Sequence, residues 1–345
     1  MKIAGRTIGP LDPCWIVAEL GLNMNGDPVI ARALIDTAAR TGADAVKLQK
    51  RSAGACLTVS ALAAPYTGRN SFGPTYGEHR AALELTPVQW AELRDYANGL
   101  GLLFFGSAFD IPSLQVLVEL GVPAIKIPSC DLTHRALLEA AVATDLPLIV
   151  STGMATEIEL DTAVDILHPA RAARRLALLH CVSGYPVSNE DANLRRMDWL
   201  KRYAVPIGYS GHEKGTAISV AAVARGACII ERHLTRDRTM PGPDHAASLE
   251  PEGFRRLVRD IRKIEAALGP QAEQPLPCEM ASKRKLRKCA VAARPMAAGT
   301  VLGNFDVRYK SPEVEGAAAA DRKVWGKKLT RALNEDDPIM LADLT

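Results

Sequence analysis

The sequence predicts an α/β fold: a (β/α)₈ barrel followed by a small β-rich module. Eight short, β-rich apolar runs alternate with amphipathic stretches of helical period, the signature of parallel βαβ units. No Gly-rich dinucleotide fingerprint follows the first run, which argues against a doubly wound open sheet. The 345 residues suit one large barrel with a further module.

In chain order, the expected strands are Cys14–Leu20, Ala45–Lys50, Leu102–Phe109, Ala124–Ser129, Pro147–Thr152, Leu176–Val182, Pro206–His212 and Cys228–Leu234. The helical stretches between them include Pro28–Thr41, Pro87–Gly101, Thr156–Leu167 and Gly215–Gly226, and Pro251–Leu268 closes the barrel with Gly269-Pro270 as its stop. Residues 51–86 interrupt the repeat after the second strand, on the barrel face that carries active sites, and include the polar run 66–73. These signals divide the chain into a barrel over 1–269, a linker over 270–284 and a tail module over 285–345. The tail has β-like pieces at Cys289–Ala293, Thr300–Leu302 and Val307–Tyr309.

Composition narrows the function. Hydrophobic residues make up 48% and charged residues 23%, with a net charge of +3 and no basic cluster dense enough for nucleic acid. The start, MKIAGRTIGPLDPCW, has no apolar run of signal-peptide length, and the longest apolar runs are strand-sized. Seven scattered cysteines without a CxxC pair suit a reducing cytoplasm.

Chemistry is expected where strands end and loops begin. The first strand ends at Glu19, and the second carries Lys47 and Gln49 on one face. Ser107 ends the third. Lys126 and Ser129, with Asp131 beyond, mark the fourth, and Ser151 the fifth. The sixth runs into Ser183 and Tyr185. Ser210 and His212 share a face of the seventh, as Glu231 and His233 do on the eighth. A cation inside a barrel strand is costly unless paired, so Lys47 and Lys126 either pair with structural carboxylates or, with serines nearby, cradle a phosphate and carboxylate. His212 and His233 end neighbouring strands, and barrel closure brings Glu19 beside them. Two imidazoles with open positions suit a divalent Lewis acid, or are satisfied core histidines. Glu231 is either a support for this group or a helix-facing ion partner. His134 and His180 read as structural. The loop 240–245 follows the eighth strand and offers Asp244, as a substrate contact or a turn cap.

The chain resembles the sialic acid synthase family, the phosphoenolpyruvate-dependent nonulosonic acid synthases, and its animal-type branch most. The matching stretches are AELGLNMNGD (18–27), GADAVKLQK (42–50), PYTGRNSFGPTYGEHRAALEL (65–85), KIPSCD (126–131), STGM (151–154), GYSGHEKGTAISVAAVARGA (208–227), ERHLTRDRTMPGPDHAASLEP (231–251) and LPCEMA (276–281). The tail resembles that family's antifreeze-like (SAF, β-clip) domain through AVAARPMAAGTVL (290–302) and GKKLTRALNEDDPI (326–339).

The resemblance implies a TIM barrel with an antifreeze-like domain, working as a dimer in which each small domain covers the partner's site. It implies that Lys47, Ser107, Lys126, Ser129, Ser151 and Ser210 bind phosphoenolpyruvate. His212 and His233 would hold manganese or magnesium, Glu19 would be a catalytic carboxylate, and Gln49, Asn70, Asp131, Tyr185 and Asp244 would contact the open-chain sugar. The acceptor would be N-acetylmannosamine, its 6-phosphate or a related hexosamine. Arg69, Arg80 and Lys214 are either candidates for a second phosphate or solvated surface charges. The chain departs from the family pattern at Met24, Cys130 and 309–312. The weighed rivals are a 3-deoxy-octulosonate or heptulosonate-type synthase, a Schiff-base aldolase on Lys47 or Lys126, and a non-catalytic carbohydrate- or ice-binding protein.

Overall fold

The computed structural model describes residues 1–269 and 272–345, and the chain divides into a unit over Met1–Gly269 and a unit over Pro270–Thr345. The first unit is a closed barrel of eight parallel strands. In chain order they are β1 (Trp15–Gly21), β2 (Ala45–Lys50), β3 (Leu103–Ala108), β4 (Ile125–Ile127), β5 (Leu148–Ser151), β6 (Leu176–Cys181), β7 (Ile207–Gly211) and β8 (Ile229–His233). Each expected strand is present, most trimmed by a residue or two where pairing stops and the chain turns outward. A two-stranded hairpin, Lys2–Ile3 with Arg6–Thr7, precedes the barrel.

The barrel closes by pairing β8 with β1, with His233 opposite Glu19, and Glu19 in turn lies opposite Lys47 of β2. Parallel strands covered on both sides read as unbroken apolar runs, and all seven residues of β1 are buried. The polar residues inside these runs are therefore exceptions and mark the chemistry.

The helices between strands follow from local signals. Pro28–Thr41 starts on Asp27, whose side chain accepts from the Val29 amide, with Pro28 in the first turn where no amide donor is needed. It ends at Gly42, whose left-handed φ of 85° suits glycine. Thr86 and Thr156 each open a helix with a reciprocal capping box, to Gln89 and Glu159. Pro251–Leu268 closes the unit and buries Phe254, Leu257 and Ile261.

Residues 51–86 form three short helices, Ala53–Cys56, Val59–Ala63 and Tyr76–Ala82, rather than one long loop, with 66–73 left irregular. The last is fixed by a Thr75–Glu78 capping box. Too short to stand alone, these helices depend on packing. Met24, where the chain departs from the family pattern, is buried in the hydrophobic core on the turn after β1.

In the second unit, Cys289–Ala292 pairs antiparallel with Val307–Lys310. The remaining connections are isolated bridges, such as Val301 with Lys328 and Met296 with Leu333. Its own small core includes Ala290, Met296, Leu302, Val324, Leu329, Leu333 and Ile339. Within 270–284, expected as linker, Met280–Leu286 begins as a short helix; Pro270 and Gln271 lie outside the described residues.

Candidate active site

A cavity of about 360 Å³ opens at the carboxyl ends of the barrel strands. At its base, Lys47 and Lys126 are each 2% exposed. The Lys47 ammonium donates to the Ser107 hydroxyl at 2.7 Å, pairs with Glu19 and stands 3.8 Å from Glu231. The Lys126 ammonium donates to the Ser151 hydroxyl at 2.6 Å and to the Ile127 carbonyl at 3.1 Å. It makes no ion pair within 4.0 Å among the described residues, so its charge is incompletely compensated. Burial pushes its pKa below the ordinary lysine value. Lys47 therefore meets the structural-pair reading of the sequence through Glu19, whereas Lys126 has no carboxylate partner among the described residues.

The serines complete the floor. Ser210 donates to Glu231 at 3.0 Å, and Ser129 accepts from the Gly153 amide at 3.0 Å. Register decides the standing of Glu231: it faces inward beside Ser210, while the helix-facing pair is Arg232 with Glu213. The two inward carboxyls differ. Burial raises the Glu19 pKa despite Lys47. Burial also opposes the Glu231 charge, but Lys47, Lys126 and His233 outweigh it and hold Glu231 at about 2.

His212 and His233 converge, with ring centroids 5.5 Å apart, and Tyr185 packs 4.1 Å from the His212 ring. His212 Nδ1 donates to the Val182 carbonyl at 2.9 Å, which leaves Nε2 with its lone pair. His233 Nδ1 is buried without a hydrogen-bond partner among the described residues, 3.7 Å from Asp244. Burial first, helped by the charge of Lys47 and opposed by Asp244, lowers the His233 pKa to about 4, so the ring is neutral and able to ligate at neutral pH. Asp244 is held in place by the Leu22 amide at 3.2 Å. Gly21 makes this approach possible: a Cβ there would stand 2.8 Å from the Asp244 carboxylate and 2.9 Å from the His233 ring.

Among the described residues no three His, Cys, Asp or Glu gather as metal ligands. A divalent cation here would take two imidazoles and complete its shell with water and substrate. An orphaned ring nitrogen and a tautomer fixed by a carbonyl fit that donor set.

Of the residues singled out from the sequence, Glu19, Lys47, Gln49, Ser107, Lys126, Ser129, Ser151, Tyr185, Ser210, His212, His233 and Asp244 line this cavity. Asn70 and Asp131 do not. Asn70 accepts from the Gly242 amide at 3.1 Å and ties the two loops together. Asp131 lies in a 3₁₀ turn that aims its carboxylate at Cys130 and His134, beside an adjoining cavity. Cys130, where the chain departs from the family pattern, is exposed and lines both spaces. Arg69 donates to the Thr239 carbonyl at 2.6 Å, and neither Arg69 nor Lys214 reaches the cavity. His180 is buried against the Ala192 carbonyl, as a structural residue would be.

Sequence reasoning missed Arg51, Tyr66, Tyr76 and His79, which wall the mouth. The signal for the last three was the aromatic and cationic content of 66–80, but no periodicity told which side chains turn inward; Arg51 lies just past the end of β2.

Residues 34–273 match the NeuB family, and residues 287–345 match the SAF domain. The chain belongs to the NeuB family. This NeuB-family chain is 42% identical over 339 residues to N-acetylneuraminate-9-phosphate synthase of Mus musculus, spanning 97% of the chain and 94% of that protein. It is 36% identical over 326 residues to N,N'-diacetyllegionaminic acid synthase of Legionella pneumophila, spanning 93% and 92%. Among solved structures, it is similar to the N-acetylneuraminic acid (sialic acid) synthetase from Leptospira borgpetersenii in complex with citrate. That match has a TM-score of 0.71 and 37% identity, covering 82% of this chain and 94% of the other.

Proposed function

We propose that this chain condenses phosphoenolpyruvate with the open-chain aldehyde of a hexosamine phosphate of the N-acetylmannosamine type, with water, to give a nonulosonic acid phosphate and inorganic phosphate. The observation that carries the reading is the pair of buried lysines, Lys47 and Lys126, set among serine hydroxyls beside two converging histidines. The mouse relative's name places a phosphate on its nine-carbon product, which favours a phosphorylated acceptor. An octulosonate- or heptulosonate-type synthase is not favoured, since the named relatives make nonulosonic acids.

In this reading Lys47 and Lys126 neutralise the phosphate and carboxylate of phosphoenolpyruvate, and Ser107, Ser129, Ser151 and Ser210 hydrogen-bond them. Gln49, Tyr185 and Asp244 orient the sugar chain. His212 and His233 hold the divalent cation, manganese or magnesium, which when bound supplies Lewis acidity to the aldehyde oxygen. The methylene carbon of phosphoenolpyruvate attacks the aldehyde carbon, and the aldehyde oxygen becomes a hydroxyl. Water adds to the cationic former enol carbon, with Glu19 taking its proton. The hemiketal phosphate then collapses by C–O cleavage to the keto acid and phosphate. One proton of the water ends on the new hydroxyl and the other on the released phosphate.

The test is phosphate release by chelator-treated protein resupplied with manganese or magnesium. The sugars are N-acetylmannosamine, its 6-phosphate, mannose 6-phosphate and arabinose 5-phosphate. Metal-dependent release with an N-acetylmannosamine acceptor, giving a nine-carbon keto acid, is expected; release with arabinose 5-phosphate alone overturns the reading.

The same reading makes the enzyme a cytoplasmic homodimer in which the SAF unit of one copy covers the other's cavity. A solution mass of 37.1 kDa, that of one chain, would overturn the dimer. Among the described residues no helix is long and apolar enough to cross a membrane.

A further inference from the structure

Against the cavity just described lies a second one, of about 410 Å³. Arg51, Tyr76, Arg80, Phe109 and Cys130 line both, so the two spaces meet along this wall. The wall is cationic. The Arg51 guanidinium lies 3.6 Å above the centroid of the Phe109 ring, and its Nη2 donates to Gln49 at 2.7 Å. Its other terminal nitrogen, Nη1, is buried and has no hydrogen-bond partner among the described residues. Arg80 projects from the insertion helix, with Nε donating to the Tyr76 hydroxyl at 3.1 Å. The carboxylates nearby are engaged elsewhere: Glu84 pairs with Lys50 at 2.9 Å, and Asp131 turns to Cys130 and His134.

A buried guanidinium donor without an acceptor costs free energy that an anionic ligand would recover. Burial and then the like charge of Arg80 lower the Arg51 pKa, outweighing the more distant pull of Asp244 and Glu84. Position identifies the anion. Lys47 and Gln49 share a face of β2, and Arg51, just past its end, donates to Gln49 and lines the same cavity. Arg51 stands four residues beyond Lys47, about 13 Å at a rise of about 3.3 Å per residue. An open six-carbon chain whose aldehyde meets phosphoenolpyruvate near Lys47 covers part of that rise, and its phosphate ester together with the Arg51 side chain spans the rest.

We infer that Arg51 and Arg80 form the seat for the phosphate monoester at the far end of the acceptor, so that the enzyme selects a phosphorylated hexosamine over the free sugar. This rests on the reading that the acceptor is an open-chain hexosamine aldehyde. Arg51 supplies a planar two-point contact held flat by Phe109, and Arg80 closes on the phosphate from the insertion.

The experiment has two arms. In the first, kcat/KM is measured for N-acetylmannosamine and its 6-phosphate with the full-length enzyme and with Arg51→Gln, Arg51→Lys and Arg80→Gln. Each Gln variant should lose about tenfold to a hundredfold more on the phosphorylated acceptor than on the free sugar, with the KM for phosphoenolpyruvate unchanged. Arg51→Lys should retain part of the preference. Equal losses on both acceptors, or a raised KM for phosphoenolpyruvate, would overturn the seat. The second arm needs no turnover: calorimetry with N-acetylmannosaminitol and its 6-phosphate, open-chain alcohols that cannot react. Wild type should bind the phosphorylated alcohol more tightly, and Arg51→Gln should erase the difference. Equal binding by wild type sinks the seat, whereas a wild type that binds the phosphorylated alcohol yet turns over neither sugar sinks the proposed reaction and leaves the seat standing.

Discussion

Lys126 is a buried ammonium touching one hydroxyl and one carbonyl, a poor exchange for the water it gave up. Its charge is therefore better explained by a ligand than by folding. Lys126→Met should lower kcat/KM for phosphoenolpyruvate about a hundredfold while leaving the thermal midpoint of the ligand-free protein unchanged or higher; a large fall in midpoint would make Lys126 a structural residue. The lowered pKa gives a second check. Anion binding needs the charged amine. Affinity for phosphoenolpyruvate should accordingly be full below the depressed pKa and fall as pH rises through it, before an ordinary lysine would titrate. A dissociation constant flat up to the usual lysine range would contradict this.

At the scale of elements, the ends of β7 and β8 are clamped from outside the barrel. Arg232 donates to Glu213 at 2.7 Å, to the Gly215 carbonyl at 2.8 Å and to Ser219 at 2.8 Å, and Tyr209 donates to the other Glu213 oxygen at 2.9 Å. Both members of the pair are completely buried, each one residue from a cavity histidine. Arg232→Met strands a buried carboxylate and should cost about 3–5 kcal/mol in denaturant unfolding. Pairing it with Glu213→Gln should recover part of that, and a single variant of wild-type stability would show the clamp to be ornamental. The loop after β1 is held as tightly against the insertion. Gly26 has φ of 71°, and a Cβ there would stand 2.1 Å from the Ala82 carbonyl. Gly26→Ala should destabilise by about 2–4 kcal/mol, seen as a lower thermal midpoint.

Over the whole molecule, two units carry separate cores, and the cavity is built from residues of the first. Half-buried Lys283 and exposed Arg284 and Lys285 stand near the start of the second. Trypsin should cut there first, and the barrel fragment should still bind phosphoenolpyruvate in calorimetry. Loss of that binding on cleavage would mean that the second unit supports the floor of the site.

The sequence by itself determined the barrel, because strand and helix periods are local and eight alternations admit few topologies. It also determined the floor of the site: a charged residue inside an apolar strand, as at Lys47, Lys126 and Glu19, can be read without knowing its neighbours. Parity along β7 and β8 put Ser210 with His212 and Glu231 with His233 on shared faces. Tertiary structure decided the rest. Pairing of β1 with β2 set Glu19 against Lys47, closure of β8 on β1 set it against His233, and register made Glu231 rather than Arg232 the inward charge. The mouth lies in turns and short helices, where no period fixes a direction. There Asn70 became a loop tie, Asp131 turned aside, Met24 went into the core, and Arg51 emerged as the cation over the cavity. Side-chain direction follows from hydrogen bonding along a strand, but in irregular chain it follows from what packs around it, which lies far off in sequence.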